Sequence, residues 1–201
     1  MSTPNYVHLF TRAWRTMLLM TVIGLVAAIA FSFVQPLKYS STERMLIIQT
    51  NLAGVDPYTA IKSTERIAQN LSEIIYTSSF FNAVMSKGAI DPNYFPQDEN
   101  AKRKLWRETI ATEVAAGTGV MSVIAYHTSR EQAAELSVRV SEQLAAIAPN
   151  YFGYSIRAQI IDDPLPSRFF AKPNVLQNGF IGAIVGFLLG GAWVLARVKT
   201  A

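Results

Sequence analysis

The chain has 201 residues, 50% of them hydrophobic, with a net charge of +4 and no cysteine, which excludes disulfides and thiol chemistry. All 14 acidic residues lie within residues 35–174 together with 14 of the 18 basic ones, so this region is neutral. The net charge therefore belongs to the two ends, which hold Arg12, Arg15, Arg197 and Lys199. Basic ends beside apolar segments suit anionic lipid headgroups rather than nucleic acid.

The first apolar segment, residues 16–34, contains 19 residues without a charge. As a helix it would be about 28 Å long, which is close to the thickness of the hydrocarbon core of a bilayer. We predict a transmembrane helix here. A cleaved signal peptide is the alternative, because Ala28 and Ala30 resemble a cleavage site. However, the apolar run continues through Phe33 and exceeds the usual signal-peptide core of about 7–15 residues.

The second apolar segment, residues 175–196, contains 22 residues without a charge. Gly182, Gly186 and Gly190 recur at every fourth position of this predicted helix and so share one face. Small residues let two helix backbones approach closely in lipid, where close packing drives association. The three glycines therefore predict a membrane-helix packing face, whose partner is either the first span or a neighbouring copy.

The basic ends predict that both termini are cytoplasmic, because loops next to the spans on that side carry excess Lys and Arg. Basic residues also flank the spans inside the central region, but long loops translocate largely regardless of charge. The predicted organisation is a cytoplasmic tail, a transmembrane helix, one extracytoplasmic domain, a second transmembrane helix and a second tail, at residues 1–15, 16–34, 35–174, 175–196 and 197–201.

The central domain begins with Pro36, which ends the first helix, and residues 39–49 are predicted to form a strand. Asp56 and Pro57 predict a helix start, an N-cap followed by proline at the first helical position. This helix is expected to break near residues 78–79 and to be followed by one or two further turns.

The rest of the domain is predicted to contain a polar helix, a strand, a longer helix and a last strand. The polar helix and the two strands are placed at residues 98–114, 120–127 and 155–162. The longer helix is capped by Ser129 or Thr128, with Thr128 and Glu131 fitting a capping box, and it is closed by Pro149. This order predicts an α+β domain with its sheet near the membrane and its helices further out. The first and last strands, each tied to a span, are expected to come together at the bilayer.

Two stretches beside the spans carry a resemblance to a known family. Residues 36–41, which read Pro-Leu-Lys-Tyr-Ser-Ser, follow the first span, and the proline-rich residues 161–173 precede the glycine-bearing second span. This pattern resembles the Wzz-type chain-length determinants, which are polysaccharide co-polymerases of bacterial inner membranes. The resemblance covers residues 10–50 and 155–196, whereas the middle of the chain agrees in element order only.

The resemblance implies a homo-oligomer in the bacterial inner membrane that works beside a polysaccharide polymerase or an export channel. Such proteins set the length of a surface polysaccharide or permit its export. We expect no cofactor in this chain. Some members carry a fused tyrosine kinase and others recruit a separate one. This chain has no GxxxxGK[ST] phosphate loop, so a separate kinase is the partner to consider. The size of the central domain is closer to the smaller capsule-type adaptors than to the larger O-antigen regulators.

The predicted stem, residues 163–174, is expected to be extended because proline excludes helix there. Phe169 and Phe170 stand where the family commonly has a middle proline, and with Arg168 and Lys172 they suit the level of the lipid headgroups. An ordinary polar linker is the alternative. The stem residues predicted on both sides of the domain are Pro36, Tyr39, Pro164, Pro166 and Pro173.

A basic cluster on the predicted polar helix contains Lys102, Arg103, Lys104 and Arg107. The simpler interpretation is a solvated face that is balanced by acidic residues of the same helix. The alternative is contact with an acidic surface of a neighbouring subunit or with an anionic glycan.

No catalytic or metal site is predicted. The two histidines, His8 and His127, have no second ligand nearby in the sequence. Asp162 and Asp163 are interpreted as turn residues before Pro164 rather than as an acid–base pair. We expect a non-enzymatic oligomeric scaffold, and the competing hypothesis is a two-span receptor with an outer ligand-binding domain. The short tails disfavour that receptor.

Overall fold

The computed structural model of the chain describes residues 12–50, 54, 56–88, 90–152 and 156–199. These residues divide into two compact units. The first unit combines the two ends of the chain, up to Leu37 and from Lys172, and the second unit is Lys38–Ala171. His8 and Ser155, the predicted first residue of the last strand, lie outside the described residues.

The helices are α1 (Trp14–Val34), α2 (Pro57–Ile74), α3 (Ser78–Met85), α4 (Glu99–Thr109), α5 (Arg130–Phe152) and α6 (Val175–Lys199), and a short 3-10 helix spans Pro92–Tyr94. The strands are β1 (Tyr39–Gln49), β2 (Ile110–Val114), β3 (Val120–His127) and β4 (Ile156–Pro166). The first unit contains α1 and α6, and all other elements belong to the second unit, which confirms the α+β class.

Both helices of the first unit are long and apolar enough to cross a membrane. In the most apolar stretch of α1 only 6% of the residues are buried, and in that of α6 only 22%, unlike the mostly buried core helix of a soluble protein. Each helix is longer than the charge-free segment that predicted it, so Arg15 and Arg197 lie within the helices.

The second unit is built on a four-stranded antiparallel sheet with the strand order β2-β3-β1-β4. β1 is a central strand, and its Met45 lies opposite Met121 of β3 on one side and Ile160 of β4 on the other. An irregularity in the β1–β4 register falls between Thr42 and Met45. Apart from this irregularity, the first and last strands pair along their length, as their connection to the two apolar segments predicts.

The core of the second unit lies between the sheet and its helices. β3 buries every second residue, including Met121 and Val123, because successive strand side chains point to opposite faces. α2, α4 and α5 contact the sheet, and their buried side chains join one apolar cluster with it. Trp106 of α4 is 2% exposed, and its indole Nε1 donates a 2.8 Å hydrogen bond to the carbonyl oxygen of Ile75.

Several local signals gave the correct bounds. β1 and β3 span the predicted residues. The carboxylate of Asp56 caps α2 by accepting hydrogen bonds from the backbone N–H groups of Tyr58 and Thr59, both at 3.1 Å. The predicted break falls between α2 and α3, where the side chain of Thr77 caps the second helix.

The prediction of one helix over residues 98–114 is wrong in its last turn. α4 ends at Thr109, and Ile110–Val114 form the edge strand β2. Ile110, Thr112 and Val114 place a β-branched side chain at every second position, which favours a strand over a helix. A tight hairpin joins β2 to β3 through Gly117, whose φ of 69° suits glycine.

The predicted end of the longer helix and the bounds of the last strand are also wrong. α5 continues past Pro149 to Phe152, because a proline in the last turn removes only one hydrogen bond. β4 extends to Pro166, so Asp162 and Asp163 are strand residues rather than turn residues. β4 is an edge strand, where proline is tolerated because one side needs no ladder partner.

The cap of the longer helix is Ser129 rather than Thr128. The Ser129 hydroxyl accepts from the backbone N–H of Gln132 at 3.3 Å and donates to the carboxylate of Glu131 at 2.7 Å. Glu131 therefore bonds the capping serine itself, which replaces the capping box predicted from Thr128.

Candidate membrane-helix interface and stem

The glycines of α6 lie against α1 of the same chain. A Cβ atom added to Gly182 would collide with Ala28 and with the backbone oxygen of Gly24. A Cβ atom added to Gly186 would collide with the backbone oxygen of Met20. The two helices therefore approach at backbone distance along this stripe, and only glycine fits there without a shift.

The stripe extends in both directions and fixes an antiparallel register. A Cβ atom on Gly190 would lie 3.1 Å from the Cα of Met17, near the start of α1. A Cβ atom on Gly179 would lie 3.2 Å from Leu25 Cδ1, closer to the end of α1. The glycine spacing left two possible partners open, and the structure places α1 of the same chain against all of these positions.

A polar pair closes one end of the same interface. The side-chain amide of Asn178 donates to the hydroxyl of Ser32 at 2.9 Å, and that hydroxyl donates to the carbonyl oxygen of Ala28 at 2.9 Å. Ser32 is fully buried. Sequence reasoning missed this pair. A signal was available, because Ser32 lies near the end of one apolar helix and Asn178 near the start of the other, and antiparallel packing brings these two positions together.

The basic ends of the helix pair carry tryptophan partners. The guanidinium of Arg15 lies 5.8 Å from the ring centroid of Trp14, and that of Arg197 lies 5.5 Å from the ring of Trp193. Arginine and tryptophan are both favoured at membrane–water interfaces. These pairs lie at the first turn of α1 and the last turns of α6, which the antiparallel register brings to one end of the unit.

The predicted stem residues fall at element boundaries or in an edge strand. Pro36 follows the end of α1, and Pro173 precedes the start of α6. Tyr39 opens β1, whereas Pro164 and Pro166 belong to β4. The predicted stem 163–174 is thus part strand, and its extended conformation arises from sheet pairing as well as from proline.

Hydrogen bonds to β1 hold the segment that follows β4. The backbone N–H of Ser167 donates to the carbonyl oxygen of Ser40 at 2.7 Å, and the N–H of Ser40 donates to the Ser167 hydroxyl at 3.0 Å. The N–H of Ala171 donates to the carbonyl oxygen of Lys38 at 2.8 Å. Between these bonds, the ring of Phe170 packs on Tyr39 with a centroid distance of 4.7 Å.

The basic cluster on α4 is largely engaged within its own unit. Glu99 accepts from Lys102 and from Arg103, both at 3.0 Å, and from the hydroxyl of Ser78 at 2.7 Å. These three hydrogen bonds, that from Ser78 foremost, lower the pKa of Glu99 to about 2. The single charge of Glu99 balances one of these two cations and holds both in contacts on their own helix, which agrees with the simpler interpretation of a solvated face.

The other two members of the cluster are exposed. Arg107 lies over the ring of Tyr76, with 5.9 Å between the guanidinium carbon and the ring centroid. Lys104 is exposed on the same helix. The adjoining cleft beside Phe81 and Trp106 has a volume of about 10 Å³, which is room for about one water molecule.

Sequence reasoning missed a polar seam between β1 and α5. The hydroxyls of Ser41 and Ser137 share a hydrogen bond of 2.9 Å in the interior. Next to it on β1, Glu43 is only 3% exposed, and its Oε2 has no hydrogen-bond partner among the described residues. The period of two along β1 was the available signal, because it places Glu43 on the same face as Met45.

The environment of Glu43 favours its neutral form. Burial raises the pKa of the Glu43 carboxyl, and the negative charges of Glu142 and Asp163 raise it further. The hydroxyl of Ser141 on α5 offsets part of that rise.

His127 is buried at the end of β3 rather than positioned as a ligand. Its Nδ1 accepts from the backbone N–H of Ser129 at 3.0 Å, and its ring packs on Tyr94 at 4.2 Å. Burial, with the nearby charge of Lys38, lowers the pKa of His127. Across the described part of the chain, no three histidine, aspartate or glutamate side chains come together as a metal site would require.

No family model matches the chain, and a search of curated proteins finds no match.

Proposed function

We propose that this protein is a non-enzymatic, oligomeric scaffold of the bacterial inner membrane that regulates the chain length or the export of a surface polysaccharide. In this proposal α1 and α6 span the membrane, both termini are cytoplasmic, and the second unit lies outside the cytoplasm. The partners are further copies of the chain, a polysaccharide polymerase or export channel, and a separate tyrosine kinase.

One observation carries the proposal, namely the paired ends of the chain. α1 and α6 pack as an antiparallel pair through the glycines of α6. Independently, β1 and β4, the first and last strands of the second unit, pair with each other. A chain that enters and leaves its α+β unit on neighbouring strands, with an apolar helix at each end, is suited to holding one domain at a bilayer. The proposed role in polysaccharide synthesis or export rests on the resemblance of residues 36–41 and 161–173 to chain-length determinants.

The membrane topology is tested by cysteine labelling, which is clean because the chain has no cysteine of its own. Lys104 is exposed on α4, and Lys104→Cys should react with an impermeant maleimide in intact spheroplasts. Ala201→Cys at the carboxyl end should react only after lysis. The opposite pattern would contradict the proposed orientation.

The polysaccharide role is tested by deleting the gene and separating the surface polysaccharide on a gel. We expect an altered length distribution or a reduced amount, restored by the wild-type chain. Gly186→Leu, which should separate α1 from α6, should restore it less well than the matched variant Ala192→Leu on an exposed part of α6. An unaltered polysaccharide in the deletion strain would contradict the proposal.

A further inference from the structure

The exposed apolar side chains of the second unit are concentrated near its carboxyl end. Phe169 is 84% exposed and Leu165 is 75% exposed, the two highest values among the large apolar residues described in this unit. Phe170 adds a ring that is 50% exposed. The other exposed large apolar residues of the unit are Tyr58, Ile61, Tyr151 and Ile161. Four of these seven side chains thus lie within ten residues, 161–170.

These side chains are presented by anchored backbone. The Ser167–Ser40 and Ala171–Lys38 hydrogen bonds fasten the chain to β1 on either side of Phe169. The ring of Phe170 packs on Tyr39, while Phe169 has most of its surface exposed. Single exposed apolar residues are normal on a soluble protein, but a cluster of them on one short segment indicates a partner surface.

The charge of the segment indicates what that surface carries. The two cations, Arg168 and Lys172, flank Phe169 and Phe170 on the side of α6, whereas the acidic residues of the stretch, Asp162 and Asp163, precede Leu165 on β4. Arg168 is exposed beside Phe169. Aromatic rings together with cations are the combination favoured where apolar lipid meets anionic headgroups.

The length of the connecting chain brings the segment within reach of a bilayer. α6 begins at Val175, five residues after Phe170, so the connection is at most about 18 Å long. Tyr39, which contacts Phe170, follows the end of α1 at Val34 by the same number of residues. The segment is therefore within reach of a bilayer that α1 and α6 would span.

We propose that Leu165, Arg168, Phe169 and Phe170 form an interfacial patch that binds the bilayer directly, as a peripheral contact additional to the spans. Phe169 and Leu165 enter the boundary between headgroups and acyl chains, and Arg168 pairs with lipid phosphate. This inference rests on the part of the proposed function that makes α1 and α6 membrane spans. It adds a lipid-binding site in the second unit.

The test uses single cysteines labelled with bimane in protein reconstituted into nanodiscs that contain brominated lipid. Phe169→Cys is the reporter, Lys104→Cys is the exposed control in the second unit, and Leu188→Cys is the control within α6, where Leu188 is 63% exposed. We expect bromolipid to quench the label at 169 nearly as strongly as at 188, and iodide to quench the label at 104 only.

Each other outcome has a defined meaning. Quenching at 169 by iodide but not by bromolipid, as at 104, would overturn the inference while quenching at 188 leaves the spans intact. Protection of 169 from both quenchers would also overturn it, because a protein surface such as a second copy would then cover the patch. Failure of bromolipid to quench at 188 would refute the spans themselves.

A charge variant tests the headgroup contact separately. In nanodiscs containing anionic lipid, Arg168→Gln should lower the ratio of lipid-bound to free patch, as reported by the label at 169, by about fivefold. The reason is that one cation near an anionic surface is lost. Arg157→Gln, at an exposed position of β4, is the matched control and should leave the label unchanged. Equal effects of the two variants would refute the role assigned to Arg168.

Discussion

At the contact between α1 and α6 the central residues are glycines, whereas at the contact between the sheet and helices of the α+β unit they are large side chains such as Trp106 and Met45. The helix pair points most of its apolar side chains outwards, and the α+β unit buries its own. In water, burial of apolar surface drives folding, so large side chains gain most. In lipid that driving force is absent, and close approach of backbones takes its place. The same hydrophobic residue therefore belongs inside one region and outside the other.

Among the variants that test this comparison, Trp106→Ala is expected to have the largest effect on stability. Removal of this buried ring should lower the free energy of unfolding of the α+β unit by about 3–5 kcal/mol. The loss includes the hydrogen bond that the indole donates to Ile75. Trp193→Ala is the control, because Trp193 is 52% exposed on α6. Urea unfolding followed by circular dichroism measures both variants, and equal losses would break the distinction between the two regions.

The opposite change, adding a side chain, should damage the helix pair. Gly186→Leu places a large side chain against the backbone of Met20 and should cost about 1–3 kcal/mol of helix-pair stability. Ala192→Leu adds bulk at an exposed position of the same helix and should cost less. Unfolding by titration with SDS after reconstitution measures the difference, and a neutral Gly186→Leu would show that the glycine contact is not needed.

The polar seam of the α+β unit predicts a dependence on pH. Because the pKa of Glu43 is raised in the folded state, its favourable contribution is complete below the unfolded-state pKa and is lost as pH rises through the folded-state pKa. Glu43→Gln removes the buried charge, so it should raise the melting temperature near pH 7 and lose that advantage toward pH 4. Glu113→Gln, at an exposed position of β2, is the control and should show no such trend.

The smallest effect should come from the polar pair of the helix interface. A double-mutant cycle with Ser32→Ala and Asn178→Ala should give a coupling energy of about 0.6 kcal/mol, the average for such bonds between membrane helices. Thr21→Ala is the control, because the Thr21 hydroxyl donates to the carbonyl oxygen of Met17 in its own helix. A coupling energy of zero between Ser32 and Asn178 would show that their hydrogen bond does not stabilise this interface.

Local chemistry was sufficient to predict the elements whose bounds depend on local signals. Asp56 and Pro57 marked a helix start because the cap and the proline act on neighbouring backbone groups. The strands β1 and β3 were readable from their apolar residues and flanking turns. The end of β4 was not, because its only ladder partner, β1, is distant in the sequence. β2 was missed for another reason: its partner β3 is the next strand, but its β-branched residues directly follow a helix and were assigned to that helix.

The candidate interface was predictable to the same degree. The spacing of Gly182, Gly186 and Gly190 identified a packing face, since it depends only on helical periodicity. The partner and the register depend on contacts across the chain, such as Asn178 with Ser32, and no local pattern specifies them. Glu43 was an intermediate case, because its alternation with Met45 predicts an inward side chain but not the helix that covers it.

The central position of β1 has a consequence for biosynthesis. One of its two neighbours, β4, ends only at Pro166, and 106 residues separate the two strands, from 50 to 155. At about 5–20 residues per second the ribosome needs roughly 5–20 s to make that stretch. Throughout this interval the edge of β1 that will pair with β4 has unpaired backbone N–H and C=O groups, which can pair with other nascent chains. Completion of the domain is therefore among the last events in its synthesis, and truncated products should aggregate.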